Sequence, residues 1–346
     1  MFENLFQMMQ QTLFEAVVLP AVRMLHLSAY SSEAFAGTEL FLLGIIEIIL
    51  LCAILIPLEH YFPHDKKLFS AQSSDKTDLI YTLIHRLGAF SLLMFMLIDP
   101  VMDFVEGELR LGGIPRFSLD SAFPLLGEWV FLQWLVYVLI LDFVDYWIHR
   151  GQHGWSRWWA LHGLHHSQTH MTFWSDNRNH VLDDVIRDAL LAMSAWFIGV
   201  EPAQFVAWVM LSRMQQNWQH ANVALKMPLW LEYAMVSPQF HRVHHAVRLG
   251  HLPASEIKSS VFLPKTKVSS AYGCNFGVLF PWWDMLFGTA NFTQARVETG
   301  VLGQKSIAYP QGENYGDGLW QQQVLGFKRL FRKLSPTSHS TSPPTA

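Results

Sequence analysis

The chain has 346 residues, a formal net charge of −4 and 51% hydrophobic residues, whereas charged residues make up only 15%. Charged residues account for about a quarter of an ordinary soluble domain, so this composition indicates an integral membrane protein with a sizeable polar part. The mild acidity, and the lack of a basic patch with interleaved aromatic residues, exclude nucleic acid as an expected partner. The two cysteines, Cys52 and Cys274, form no CxxC pair and suggest no disulfide.

In chain order, residues 1–38 predict an N-terminal amphipathic region, and three apolar runs follow within 39–148. The runs are residues 39–58, 79–98 and 129–148, each as long as the roughly 20 residues that a membrane-spanning helix needs. Two shorter apolar pieces, joined around Glu201 and Pro202, predict a helical hairpin over 185–214 that dips into the membrane. One long kinked span is the alternative for this segment.

The last part of the chain divides in two. Within 293–334, residues 320–334 have the pattern of a basic amphipathic helix, which lies either on an anionic leaflet or docked on the protein by its apolar face. Residues 335–346 are rich in Ser, Thr and Pro, and we expect them to be disordered.

The distribution of basic residues gives an orientation. With three spans, the 59–78 loop lies on the same side as everything after residue 149. Lysine and arginine in both regions make this side cytoplasmic. Short loops on this side and the lack of a retention signal at the C-terminus favour a bacterial inner membrane.

Histidines are the strongest signal in the sequence: eleven of seventeen fall between residues 149 and 245. They occur as HxxxH at 149–153 and as HxxHH at 162–166 and 241–245. Residues three and four apart share one face of a helix, so each cluster is expected to aim its imidazoles at one point. Eight imidazoles in three converging clusters, with His220 as a ninth, exceed what one metal takes and predict two metals. Imidazole suits zinc, copper, iron and nickel, and structural zinc needs only four ligands.

Six motifs in fixed order resemble the fatty acid hydroxylase/sterol desaturase superfamily of membrane di-iron oxygenases, from about Asp142 to Thr289. They are HRGQH (149–153), HGLHH (162–166), NRNH (177–180), HAN (220–222), SPQFHRVHH (237–245) and NFGVLFPWWDMLFGT (275–289). The resemblance implies an all-α membrane fold with a cytoplasmic helical cap, formed by a catalytic domain over 149–292, that carries two non-haem irons. It also implies O2-dependent hydroxylation or desaturation of a lipid, such as a sterol-like, alkyl, acyl or carotenoid substrate.

The resemblance also implies the site residues. The metal ligands carried over are His149, His153, His162, His165, His166, His180, His220, His241, His244 and His245. Asp145, one turn before His149, is the best candidate for a carboxylate that orients an imidazole. Asp183 is a further candidate, although it stands where the family usually has the longer Glu. Asn222 is expected to fix a loop or to bind water near the irons.

Two further expectations complete the sequence-based hypothesis. The segment around residues 248–270 is longer than its counterpart in the family and predicts a loop or a lid that influences substrate choice. The chain has no haem, dinucleotide or iron–sulfur motif, so a separate ferredoxin, cytochrome or reductase must supply electrons. The alternative function is a histidine-rich membrane protein that binds or transports metal without oxygenase activity.

Overall fold

A computed structural model describes residues 2–66, 73–247, 273–294, 296–301, 304–305 and 311–332. The predicted lid at 248–270 and the predicted tail at 335–346 lie outside these residues. The described residues contain helices and no strand, which confirms the predicted all-α class. Their α-helices are α1 (Phe2–Leu13), α2 (Leu19–Met24), α3 (Ser31–Tyr61), α4 (Ser73–Arg86), α5 (Ala89–Leu111), α6 (Leu119–Ala122), α7 (Pro124–Gly127), α8 (Val130–Gly154), α9 (Ser156–His166), α10 (Val181–Ile198), α11 (Pro202–His220), α12 (Leu229–Glu232), α13 (Pro238–His244), α14 (Trp282–Phe287) and α15 (Leu319–Leu330).

Two helical segments of the described chain are long and apolar enough to cross a membrane, Ser28–Tyr61 and Val130–Gly154. They contain the first predicted run, and the third apart from Trp129. The second run, 79–98, is not continuous: α4 and α5 meet at an angle of 49°, and the span count reaches three when this bent pair is one span. The break falls at Gly88, whose φ of 87° is a conformation that other residues rarely adopt.

The predicted hairpin is present as α10 and α11, which are joined by residues 199–201. Gly199 ends α10 with a φ of 83°, and Glu201 begins α11 with a reciprocal capping box to Gln204. At 18 residues, α10 is about 27 Å long. Its end stacks Phe197 on Phe117, so the hairpin reaches the connection between α5 and α8.

Two hydrophobic clusters hold the helices that carry histidines. In the first, residues of α8 pack against the hairpin and against Leu279, with Leu141, Leu191 and Trp208 buried among them. In the second, α3 packs under the short 3₁₀ segment Phe173–Asn177. Each buried side chain of this size contributes roughly 1.5–3 kcal/mol, so the C-terminal ends of α8 and α11 have fixed positions.

Helix α15, which overlaps the predicted basic helix, is docked on α9 and α4. Gln323 donates to the Tyr81 hydroxyl and to the carbonyl oxygen of Asn179, each through its side-chain amide. Trp320 and Phe331, by contrast, are 77% and 79% exposed. The Phe327 ring lies 4.7 Å from that of His180, so polar and apolar residues of α15 both contact the rest of the protein.

Candidate metal centre

Nine histidines meet in two buried groups at one end of the bundle. The first histidine pocket contains His149, His153, His162, His166 and His244. The second histidine pocket contains His165, His220, His241 and His245. Within each pocket, one nitrogen from every ring lies within 4.8 Å of the others, and every ring is buried.

The helical repeat explains how the motifs are divided. Members four residues apart stay together: His162 and His166 enter the first pocket, and His241 and His245 enter the second. The histidine between them, His165 or His244, points into the other pocket. The expectation that each cluster aims at one point is therefore wrong for both HxxHH motifs, because each supplies both pockets.

The second pocket has the donor arrangement of a single cation site. The Nε2 atom of His220 lies 3.1 Å from that of His165 and 3.1 Å from that of His241, which in turn lies 3.1 Å from that of His245. Nitrogens that surround one cation at about 2.0–2.1 Å in a tetrahedron are about 3.3 Å apart. The Nδ1–H of His220 donates to the Gln216 carbonyl oxygen at 2.7 Å, which leaves its Nε2 as a lone-pair donor.

In the first pocket, hydrogen bonds on the far side of three rings direct the imidazoles. Nδ1–H of His149 donates to the Phe276 carbonyl oxygen at 2.9 Å, and that of His244 donates to the Cys274 carbonyl oxygen at 2.7 Å. His162 donates from Nδ1 to Asp183 at 2.9 Å. The buried Nε2 of His162 has no hydrogen-bond partner among the described residues, which fits a nitrogen that binds a metal.

Electrostatics favours neutral rings in the second pocket. Burial, and then repulsion from neighbouring imidazoles, holds the pKa of His165, His241 and His245 well below the usual 6.5. Burial also lowers the pKa of His220. A neutral imidazole is the form that binds metal, so the rings are ready to act as ligands.

The two pockets are adjacent. The rings of His166 and His245, one from each pocket, stack with centroids 4.2 Å apart and planes 19° apart. His162 and His165 approach to 5.3 Å, and His241 and His244 to 5.2 Å. Two cations held there would be close neighbours, as a two-metal reaction requires.

His180 is not part of either pocket. Its Nε2–H donates to the Gln323 carbonyl oxygen at 3.0 Å, and its Nδ1 accepts from the backbone N–H of Leu182 at 3.2 Å. Both ring nitrogens are therefore used in capping α10 and in holding α15. Gly326 lies against this ring, where an added Cβ would be 2.2 Å from Cδ2 of His180. The structure therefore does not bring His180 together with the nine other predicted ligands.

The three predicted supporting residues have different surroundings. Asp183 accepts from His162, from Gln152 at 2.8 Å and from Trp158 at 2.7 Å, so the shorter side chain does reach an imidazole. Asp145 instead forms a two-pronged ion pair with Arg187, at 2.9 and 2.6 Å. Asn222 holds the backbone of Asp65 through both ends of its amide, at 2.9 and 3.1 Å, and thus fixes a loop.

Sequence reasoning missed the residues that act through their backbone. The carbonyls of Phe276 and Cys274 belong to a loop that is closed by Asp284, which accepts from the N–H of Phe276 at 2.9 Å. Asp142 ties this loop to α8 by accepting from the N–H of Leu279 at 2.8 Å. The NFG…WD motif marks this loop in the sequence, but no side-chain pattern shows that its carbonyls support the histidines.

These features define a class: an integral membrane protein of helices, with two adjacent all-imidazole pockets suited to two cations. Residues 134–289 match the family model for fatty acid hydroxylases. This part of the chain is therefore similar to the fatty acid hydroxylase family, the resemblance that its motifs predict.

Curated relatives agree with this assignment. Over 157 residues the chain is 28% identical to alkylglycerol monooxygenase of Caenorhabditis elegans, covering 45% of this chain and 26% of that protein. It is 24% identical over 195 residues to Delta(7)-sterol 5(6)-desaturase ERG3B of Gibberella zeae, covering 55% and 52%. It is 23% identical over 239 residues to ornithine lipid hydroxylase OlsE of Rhizobium tropici, covering 68% and 63%. The chain spans less than two thirds of each relative. No solved structure gives a significant match.

Proposed function

We propose that this protein is a membrane-bound non-haem di-iron oxygenase that uses O2 and external electrons to hydroxylate or desaturate a C–H bond of a lipid. The adjacent five-histidine and four-histidine pockets carry this proposal, because together they offer nitrogen ligands for two cations in one buried site. The printed activities of the relatives, a monooxygenase, a desaturase and a hydroxylase, support the same chemistry.

The residues of this chain have distinct tasks in such a reaction. Bound irons would supply the redox chemistry that activates O2, which protein side chains lack. The nine imidazoles would hold them, and Asp183 would fix the His162 ring and raise its basicity. The carbonyls of Phe276 and Cys274 would fix His149 and His244 in the same way. Burial of all nine histidines would keep bulk water away from the reacting centre.

The remaining parts of the proposal concern location and partners. We place the histidine pockets on the cytoplasmic side of a bacterial inner membrane, with a separate ferredoxin, cytochrome or reductase docking there. The support is the basic character of the segments on this side and the absence of an electron-carrier motif in the sequence. Labelling of engineered cysteines with a membrane-impermeant maleimide tests the orientation: position 117 should react in intact spheroplasts, whereas position 61 should not.

Metal analysis tests the central claim. Protein purified without oxygen from iron-57 medium should contain about two irons per chain. Mössbauer spectra should show spin coupling after exposure to O2. One metal per chain, or tightly held zinc under iron-replete growth, would contradict the proposal and would favour a metal-binding or transport protein. An iron-loaded protein then justifies comparing the lipids of cells with and without it to find the product.

A further inference from the structure

Helix α15 buries a side that has no apolar side chain. Its buried residues are Gln322, Gln323 and Gly326, which fall within about 100° of one another around the helix axis. The helices of globular proteins usually bury their apolar stripe and expose their polar residues. Helix α15 departs from this pattern, and all of its apolar side chains are exposed or only partly buried.

Four of these apolar residues form one stripe along the helix, the aromatic edge of α15. They lie within about 60° of one another around the axis and are Trp320, Val324, Phe327 and Phe331. Trp320, Phe327 and Phe331 are 77%, 42% and 79% exposed. A contiguous aromatic stripe that the protein does not cover is unfavourable in water and marks a surface that another apolar phase covers.

The aromatic edge lies on the side of α15 that faces α4 and α10. Phe327 follows Gln323 by four residues and lies about 40° from it around the axis. The side chain of Gln323 donates to the Tyr81 hydroxyl of α4 and accepts from the N–H of Val181 of α10, each at 2.8 Å. Val181 and Ile80, the neighbour of Tyr81, are themselves 36% and 48% exposed. The aromatic edge therefore adjoins exposed apolar positions of α4, in the bent candidate span, and of α10, in the hairpin.

The other exposed edge of α15 is basic and lies on the side of α9. Lys328 and Arg332 are exposed, about 80° and 120° from Trp320 around the axis. Arg329 lies farther round in the same direction and donates to the Ala160 carbonyl oxygen of α9 at 3.0 Å. Aromatic residues thus point to one side of α15 and cations to the other.

The basic edge has an excess of positive charge. Its end of the helix carries the three cations Lys328, Arg329 and Arg332. Residues 311–332 contain two acids: Glu313, which pairs with Arg332 at 2.8 Å, and Asp317, which precedes the opposite end of the helix. Adjacent aromatic and cationic edges are typical of helices at a membrane interface, where rings enter the acyl region and cations reach anionic phosphates.

From this arrangement we infer that α15 lies in the interface of an anionic lipid leaflet. Its aromatic edge contacts acyl chains beside α4 and α10, its basic edge contacts the phosphates of the headgroups, and its glutamine side holds it on the protein. Because α15 packs against α9, which carries His162, His165 and His166, the headgroup layer lies beside the histidine pockets. The arrangement requires neither bound iron nor turnover, so it stands apart from the proposed function.

Quenching by lipids tests the aromatic edge in the full chain, reconstituted into lipid nanodiscs. A bimane label is attached to Phe331→Cys or Trp320→Cys, and to Gln321→Cys on the basic edge as the matched control. The background carries Cys52→Ser, and the buried Cys274 is retained. Phosphatidylcholine with brominated acyl chains should quench the label at positions 331 and 320 at least about threefold more than at 321. Equal quenching at the three positions would overturn the inference.

Hydrogen exchange tests the preference for an anionic leaflet. Amides of residues 319–330 should exchange about fivefold more slowly in nanodiscs that contain phosphatidylglycerol than in phosphatidylcholine alone. Lys328→Gln should remove most of this difference, whereas the exposed Arg110→Gln, on α5, should retain it. Exchange that is independent of lipid charge would overturn the inference. Slow exchange in detergent as well, with no quenching at position 331, would show that a protein chain covers this face instead.

Discussion

The two histidine pockets share α9 and the α13 motif, yet they are stabilised differently. In the first pocket, three of five rings are held from behind: His149 and His244 by carbonyls, and His162 by Asp183. In the second, His220 is anchored to Gln216, but the Nδ1 atoms of His165, His241 and His245 are buried without a hydrogen-bond partner among the described residues.

This difference indicates two ways of preparing a metal site. Hydrogen bonds to Nδ1 set the tautomer and the ring direction before any metal is present, so the first pocket is preorganised. In the second pocket, packing brings the four Nε2 atoms close together. A single bound cation would accept the lone pairs of all four nitrogens. Metal binding should therefore contribute more to the local order of the second pocket than to that of the first.

The largest expected effect comes from removing one ligand from either pocket. His244→Ala and His165→Ala should each lower lipid oxidation by at least about a hundredfold, because a two-metal reaction fails when either ion is lost. Membrane insertion should be unchanged. Product formation in isolated membranes measures the effect, and the exposed His60→Ala serves as the control. Full activity in either ligand variant would reject the di-iron assignment.

A smaller effect is expected from removing the carboxylate that accepts the hydrogen bond from His162. Asp183→Asn should weaken metal affinity about 10–100-fold, because the carboxylate that orients a ligand histidine is replaced by a neutral amide. Iron titration monitored by Mössbauer spectroscopy should show that one of the two sites empties first. Asp145→Asn is the contrasting variant. It breaks the ion pair with Arg187, so it should lower the melting temperature while the iron content is retained. Equal iron loss in both variants would show that Asp183 has no special role.

Removing iron with a chelator should lower the local order of the second pocket more than that of the first. Removing iron should increase amide hydrogen exchange over 238–245, in the second pocket, more than over 149–153, in the first. A difference of about tenfold corresponds to about 1.4 kcal/mol of local opening. Mass spectrometry of peptides from iron-loaded and iron-free protein gives the comparison. Equal increases in both segments would show that the hydrogen bonds of the first pocket do not preorganise it.

Much of this architecture could be predicted from the sequence. Apolar runs of sufficient length indicated candidate spans, and the histidine spacing indicated a metal site, because both follow from the geometry of a single helix. The break at Gly88 was missed because the surrounding run is apolar on both sides of it. The division of each HxxHH motif between two pockets was also missed, since it depends on where a second helix lies.

The residues around the histidines were also hard to predict, because their roles depend on partners that are distant in the sequence. Asp145 was favoured because it stands one turn before His149, yet α10 brings Arg187 to it. His180 matched a motif, yet the docking of α15 uses its ring. In both cases a partner more than 40 positions away decides the role, and no local pattern contains that partner. The carbonyls of Phe276 and Cys274 have no side-chain signature at all.

The smallest expected effect is a pH dependence of the free energy of unfolding, caused by Asp284 in the loop behind the first pocket. Burial raises the pKa of Asp284 to about 6, above the usual 3.8. The folded chain therefore binds this proton more tightly than the unfolded chain, so the contribution of the protonated group to stability declines as pH rises from about 4 through 6. Asp284→Asn cannot ionise. Its loss of stability relative to the wild type should thus be larger at pH 5 than at pH 7.5, by about 1–3 kcal/mol.

Thermal unfolding of iron-free protein at the two pH values measures this difference without interference from metal binding. Asp120→Asn, which removes an acid that accepts a hydrogen bond from Gln133, is the matched control for exchanging a carboxylate for an amide. If Asp284→Asn were equally destabilised at both pH values, the loop would be held by an Asp284 that is ionised throughout. The backbone carbonyls behind His149 and His244 would then owe their position to a charged group, and preorganisation of the first pocket would not weaken as the pH rises.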